Sequence, residues 1–222
     1  MRQFTVELEE LNQKLLNMGS AVETAIHRSV QALVEQNREL AEQVIRDEPQ
    51  INARQMEIDG FVTRLFALRQ PVARDLRFLT SVLKINTDLE RMGDLARHIA
   101  RRSLTLMQHP LGQSLVDVPQ MASLVQTMVL KSLTAFVEGD DQLARSVLPL
   151  DDEVDGLRDS IYERLLTVMQ NDPTQVPAAV DLIFVARHLE RIGDHATNIA
   201  EDVVFLVKGV DVRHHAERVE KV

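Results

Sequence analysis

The chain has 222 residues, with 25 Lys plus Arg against 34 Asp plus Glu, a formal net charge of −9 and 45% hydrophobic residues, enough for the core of one large or two small domains. The acidic balance, with aromatics at 4% and no Trp, argues against both the phosphate-backbone attraction and the stacking platform of a nucleic-acid binder. The absence of Cys excludes disulfide scaffolds, thiolate zinc sites, cysteine-ligated iron–sulfur clusters and cysteine nucleophiles.

Glycine and proline are sparse (8 Gly, 7 Pro), which favours a mostly helical chain over a turn-rich β fold. The N-terminal MRQFTVELEE carries acid where a signal peptide would carry an apolar run, and no stretch approaches the roughly 20 apolar residues of a membrane span. Both features predict a soluble, intracellular protein.

In chain order, the apolar residues Leu8, Leu11, Leu15, Val22, Ile26, Val30 and Leu33 predict a first helix over 3–35. Gln36-Asn37 reads as a helix stop followed by an N-cap. A second helix over 38–68 carries Ile51, Ile58, Phe61, Leu65 and Leu68, and Pro49 inside it should kink or restart it. After Gln70-Pro71, a third helix over 72–108 carries Val82, Ile85, Leu89, Met92, Ala96, Ile99, Ser103 and Leu106. Steps of three and four make this a bundle seam. The segment from His109-Pro110-Leu111-Gly112 through Pro119 reads as a linker. Three more helices follow, over 120–138, 140–170 and 176–208, with breaks at Gly139-Asp140 and Asn171-Asp172-Pro173.

The second three helices repeat the first three. LERMGDLARHIA (89–100) and LERIGDHATNIA (189–200) share eight of twelve residues at an offset of 100. Upstream, Leu40-Ala41 and Val44 match Leu143-Ala144 and Val147 at an offset of 103, as one altered loop would produce. The expected fold is all-α: two tandem antiparallel three-helix bundles related by internal duplication, over residues 1–112 and 113–222.

The informative residues are those the repeat keeps although the core does not need them. Glu90 and Asp94 are four apart and share a helix face to the side of the apolar stripe, as do Glu190 and Asp194. The second helices carry the pairs Glu48/Asn52 and Asp151/Asp155. If helices two and three of each copy pack side by side, these pairs converge on a groove. Copy two extends the row through Asn198 and Asp202, where copy one has His98 and Arg102. Oxygen-only donors on one face suit hard or borderline divalent cations, and iron tolerates such a set. Gly93 and Gly193 would let another helix or a ligand come close. The competing reading is a solvated charged face: Arg91, Arg187 and Arg191 each stand three residues before a carboxylate, and such exposed pairs contribute only about 0.3–0.5 kcal/mol each.

The seven His are scattered, and no Glu-x-x-His pair exists, which disfavours a ferritin-like di-iron oxidase. His214-His215 lies in a polar tail. No phosphate-binding loop, dinucleotide fingerprint, nucleophile elbow or zinc-protease motif is present, so catalysis is not expected.

Tandem L-E-R-[MI]-G-D repeats on the third helix of duplicated three-helix units resemble the PhoU family of bacterial phosphate-uptake regulators. Gln70-Pro71 with Ala73-x-Asp75-Leu76-Arg77, Ala186-Arg187, and Val207-Lys208-Gly209 with Asp211 and Arg213-His214 support the resemblance, which spans about residues 3–214. It implies a cytoplasmic, commonly dimeric adaptor that links the phosphate ABC transporter to a sensor histidine kinase and represses phosphate-starvation genes when phosphate is plentiful. It also implies multinuclear iron or another divalent metal, with zinc, manganese or nickel as further candidates. The family's metal motif falls on Glu48/Asn52, Glu90/Asp94, Asp151/Asp155 and Glu190/Asp194. A helical metal-binding or metal-storage protein using the same carboxylates is the alternative.

Overall fold

The computed structural model describes residues 2–109 and 117–213. Among the described residues the elements run in the order α1 (Arg2–Val34), α2 (Arg38–Arg69), α3 (Ala73–Leu106), α4 (Asp117–Glu138), α5 (Asp141–Arg145), α6 (Leu148–Asn171), a short 3-10 turn (Pro173–Gln175) and α7 (Val176–Lys208). No strand occurs among the described residues. The expected boundary at 112/113, the centre of the linker, and His214-His215 lie outside the described residues.

The turns between helices follow local chemistry. Gln36 takes φ 51° and the Asn37 side chain accepts from Leu40 N, starting α2. In the second copy Gly139 takes φ 64° and Asp140 accepts from Gln142 N and Leu143 N. These left-handed residues end one helix while the following side chain satisfies free N–H groups of the next.

The prolines behave differently in the two copies. Pro49 lies inside α2, which runs unbroken past it, so the expected restart does not occur. One missing N–H is tolerated by a long helix whose buried face continues on both sides. In the second copy the expected single helix over 140–170 is divided: α5 ends at Arg145, and Pro149 sits in the first turn of α6, where its missing N–H costs nothing.

Helices α1, α2 and α3 pack on one another, as do α4, α6 and α7, giving one three-helix bundle per repeat, with α5 against α4 and α7. The apolar stripe of α3 is fully buried from Val82 to Leu106, and that of α7 from Leu182 to Val203. Leu68 is the exception, 67% exposed, because it falls at the edge of the α2 stripe in the last turn.

The repeats are not separate bodies. α3 packs extensively on α7 and α1 on α4, and one hydrophobic cluster runs from Leu11 and Leu15 through Ile85 and Met92 to Met128, Leu189 and Ile199. Across the α3–α7 contact, Lys84 meets Asp202, Asp88 meets His195, His98 meets His188 and Arg102 meets Asp181. Rising numbers on one helix meet falling numbers on the other, so the pair is antiparallel and an approximate two-fold relates the repeats.

Candidate functional site

Side-by-side packing of α2 on α3 and of α6 on α7 brings the paired carboxylates of each repeat together. In the first repeat Glu48 is only 6% exposed, accepts from Asn52 Nδ2 at 2.7 Å, and lies 3.5 Å from Arg97 Nη1. Arg97 Nη2 also donates to Asp94 at 2.9 Å. Glu90 stands in the same field: burial first, then Asp94 and Glu48, push its carboxyl above the usual range. Asn52 Oδ1 is buried with no hydrogen-bond donor.

In the second repeat Arg158 Nη1 donates to Asp155 at 2.6 Å and to Glu190 at 2.8 Å, bridging α6 and α7. Asp151 accepts a long bond from Thr197 Oγ1 at 3.4 Å, and burial followed by Asp155 raises its pKa. Asp194 is exposed at the rim, yet partial loss of solvent around its carboxyl, with Glu190 and Asp151 nearby, pushes its pKa up to about 6. The four pairs therefore form two clusters, one per repeat.

Asn198 and Asp202 are placed differently from the rest of the row. Asn198 lines a hollow of about 440 Å³ with Asp151 and Asp194, but its amide leans on Asp88 of α3, at 3.4 Å. Asp202 is buried and paired with Lys84 at 2.8 Å across the α3–α7 contact. This contact is a polar seam that sequence reading missed. Within it His195 Nδ1 donates to Asp88 Oδ1 at 2.8 Å, both residues being 7% exposed. Arg102 donates to Asp181 at 2.6 Å and lies over the Phe184 ring at 4.4 Å from its centroid. The His98 and His188 rings stand 5.3 Å apart. Burial, then His98 and the surrounding arginines, holds the His188 imidazole down at about 4, so it is neutral near pH 7.

The glycines of the repeated motif are unequal. A Cβ on Gly93 would stand 3.0 Å from Ile51 Cδ1 and 3.1 Å from its Cγ2, so this glycine admits α2. A Cβ on Gly193 would meet Val154 at an ordinary 3.6 Å.

Beside the clusters, α3 and α7 present polar residues at helical spacing: Arg91, Asp94, His98 and Arg101 on one, Arg187, Arg191, Asp194 and Asn198 on the other. Arg91, Arg101, Arg187 and Arg191 are exposed. The result is a surface of mixed charge carried by two helices packed against each other.

A metal ion is tested by the donor set. The residue types suit a hard cation, but among the described residues no three Asp, Glu or His stand where they could hold one ion. A guanidinium bridges carboxylates in each cluster instead. In this packing the residues do not fit a metal.

Comparison with known proteins follows the duplication. A family profile described as "PhoU domain" matches residues 15–103 and 118–203. The chain is 43% identical over 216 residues to the phosphate-specific transport system accessory protein PhoU homolog of Pseudomonas aeruginosa, covering 96% of this chain and 88% of that protein. It is 39% identical to the homolog so named in Clostridium acetobutylicum, covering 94% and 96%. Among solved structures, PhoU from Pseudomonas aeruginosa superposes with a TM-score of 0.91 at 41% identity, over 93% of this chain and 100% of that one. The phosphate transport system regulatory protein PhoU from Streptococcus pneumoniae gives 0.88 at 32% identity, over 94% and 99%.

Proposed function

Because this chain belongs to the PhoU family, we propose that it is an accessory protein of phosphate transport that regulates uptake and the phosphate-starvation response without catalysing a reaction. It serves as an adaptor between the phosphate ABC transporter and a sensor histidine kinase, from the cytoplasmic side. No described helix is long and apolar enough to cross a membrane, so contact with the transporter is by docking.

The observation that carries this reading is the surface built by the two central helices. The carboxylate pairs of both repeats flank a firm, mixed-charge floor that the core does not require, and opposite charges displayed on a rigid frame suit register-specific protein recognition. The names of the relatives support the phosphate-transport half of the proposal. The kinase link rests on the family resemblance of the repeated L-E-R-[MI]-G-D motifs.

The test is a deletion strain carrying a phosphate-starvation promoter reporter, grown in high phosphate. The reporter should switch on in the deletion strain and be silenced by the intact chain. Glu190→Ala with Asp194→Ala should fail to silence it while keeping the helical circular-dichroism signal. Full silencing by that variant would remove the second cluster from the docking surface.

A further inference from the structure

We propose that Arg97 and Arg158 are built-in counter-cations: each takes the position between paired carboxylates that a divalent ion would need, so the two clusters are assembled and held without metal.

The two arginines are not equivalents under the duplication. The position matching Arg97 in the second repeat is Thr197, and the position matching Arg158 in the first is Gln55. One cluster receives its cation from the third helix of its repeat and the other from the second. The same outcome, a guanidinium joining a carboxylate on one helix to a carboxylate on the next, is reached from opposite walls. Incidental pairing along one helix would not produce this. Each arginine keeps partners on its own helix, Asp94 for Arg97 and Asp155 with Asp159 for Arg158, and each also reaches a carboxylate on the neighbouring helix. Arg97 crosses to Glu48 at 3.5 Å and Arg158 to Glu190 at 2.8 Å.

The arginines and their cross-helix partners, Glu48 and Glu190, are drawn in from the surface, while Asp94 and Asp155 on their own helices stay more exposed. The side chains of Arg97 and Arg158 keep only 23% and 21% of their exposure, and that of Glu48 keeps 7%. Arg97 Nε is buried without a partner, so the guanidinium is drawn into the cleft at the cost of one unmet donor. A planar fork that reaches two carboxylates at once holds a fixed geometry that a hydrated lysine ammonium would not. A divalent cation entering either cluster must displace a charged head, breaking the Asp94 bond and the Glu48 ion pair of Arg97, or the Asp155 and Glu190 bonds of Arg158. Cation affinity is therefore depressed in this chain, and the competing group is a residue of the chain itself.

The experiment compares the intact chain with Arg97→Met, Arg158→Met and the double variant. Each is loaded with Mn²⁺ or Zn²⁺, passed through gel filtration and analysed for metal, with Tm measured in parallel. The intact chain should retain little metal and show no Tm rise on adding either ion. Each Met variant should bind at least about tenfold more tightly, the factor set by loss of ~1.4 kcal/mol of competing interaction, and its Tm should rise with added ion. Arg97→Lys, which keeps the positive charge without the fork, should fall between the intact chain and Arg97→Met. If Arg97→Met fails to fold, Arg97→Gln, which keeps a polar head, provides the same comparison. Equal stoichiometric retention by the intact chain and the Met variants would overturn the proposal. So would metal binding by Arg97→Lys equal to that of Arg97→Met.

Discussion

Asp88→Ala probes the seam between the repeats. The substitution deletes the carboxylate that accepts from His195 Nδ1 at 2.8 Å and from the Asn198 amide at 3.4 Å, in a place where Asp88 and His195 are each 7% exposed. Water cannot replace the lost acceptor freely there. An orphaned buried donor costs about 1–3 kcal/mol, with the upper end expected where the lost acceptor is a carboxylate. The long Asn198 bond adds little, so a loss of about 3 kcal/mol is expected. For a chain of 222 residues that corresponds to a Tm lower by about 6–12 °C. The assay is thermal unfolding by far-ultraviolet circular dichroism on Asp88→Ala, His195→Ala and the double variant. Coupling should appear as a double-variant loss at least about 1 kcal/mol smaller than the sum of the single losses. Glu42→Ala, which removes the exposed 3.6 Å partner of Arg38, is the control and should change stability by less than about 0.5 kcal/mol. A loss below about 1 kcal/mol for Asp88→Ala, or strict additivity in the cycle, would refute the reasoning.

Three further outcomes follow from local geometry. Gly93→Ala should cost about 1–3 kcal/mol in urea unfolding, since its methyl would stand 3.0 Å from Ile51 Cδ1, whereas Gly193→Ala, with 3.6 Å to Val154, should be neutral or stabilise by up to about 1 kcal/mol through helix propensity. The raised pKa of Asp194, about 6, means that between its unfolded value of 3.8 and 6 the native state binds a proton that the unfolded state has shed. Its contribution therefore falls as pH rises through that window, and Asp194→Asn should flatten the decline and raise stability at neutral pH, as read from denaturant midpoints across the range. Asp140→Ala removes the side chain that accepts from Gln142 N and Leu143 N, and should lower stability by about 1 kcal/mol in the same unfolding assay.

The fold was largely legible because the duplication supplied two readings of every element. The stripe from Val82 to Leu106 and its partner from Leu182 to Leu206 are periodic, and both are buried as that period requires except for the half-buried Leu206. The breaks at Gln36-Asn37 and Gly139-Asp140 carry their own capping chemistry. Pro49 and Pro149 were harder: a proline inside a helical pattern does not reveal whether tertiary packing will carry the helix past it, and here it does so in one repeat only. The convergence of Glu48 with Glu90 and of Asp155 with Glu190 was readable as a consequence of neighbouring helices. The arginines between them were not, because Arg97 and Arg158 occupy unmatched positions and a search for what the repeat keeps passes over them. The same bias hid the seam. Lys84, Asp88, His195 and Arg102 stand where the copies differ, with Phe184, His188, Leu95 and Asp202 as counterparts. A signal was available in those differences, since opposed charges at unmatched positions on two helices are what an antiparallel contact between them would need.

The seam also makes the halves of this molecule non-interchangeable. A pair of first repeats docked through the same contact would set Lys84 against a second Arg102 in place of Asp202, and Asp88 against Leu95 in place of His195. A pair of second repeats would set Asp202 against Asp181 in place of Arg102. Each self-pairing brings like charges together in a half-dry contact, whereas the mixed pairing joins opposite ones. The contact between the repeats is thus a lock with a distinct key on each side. Two separately produced half-chains would be expected to find each other rather than themselves, and two intact chains would gain nothing by exchanging halves through mismatched partners.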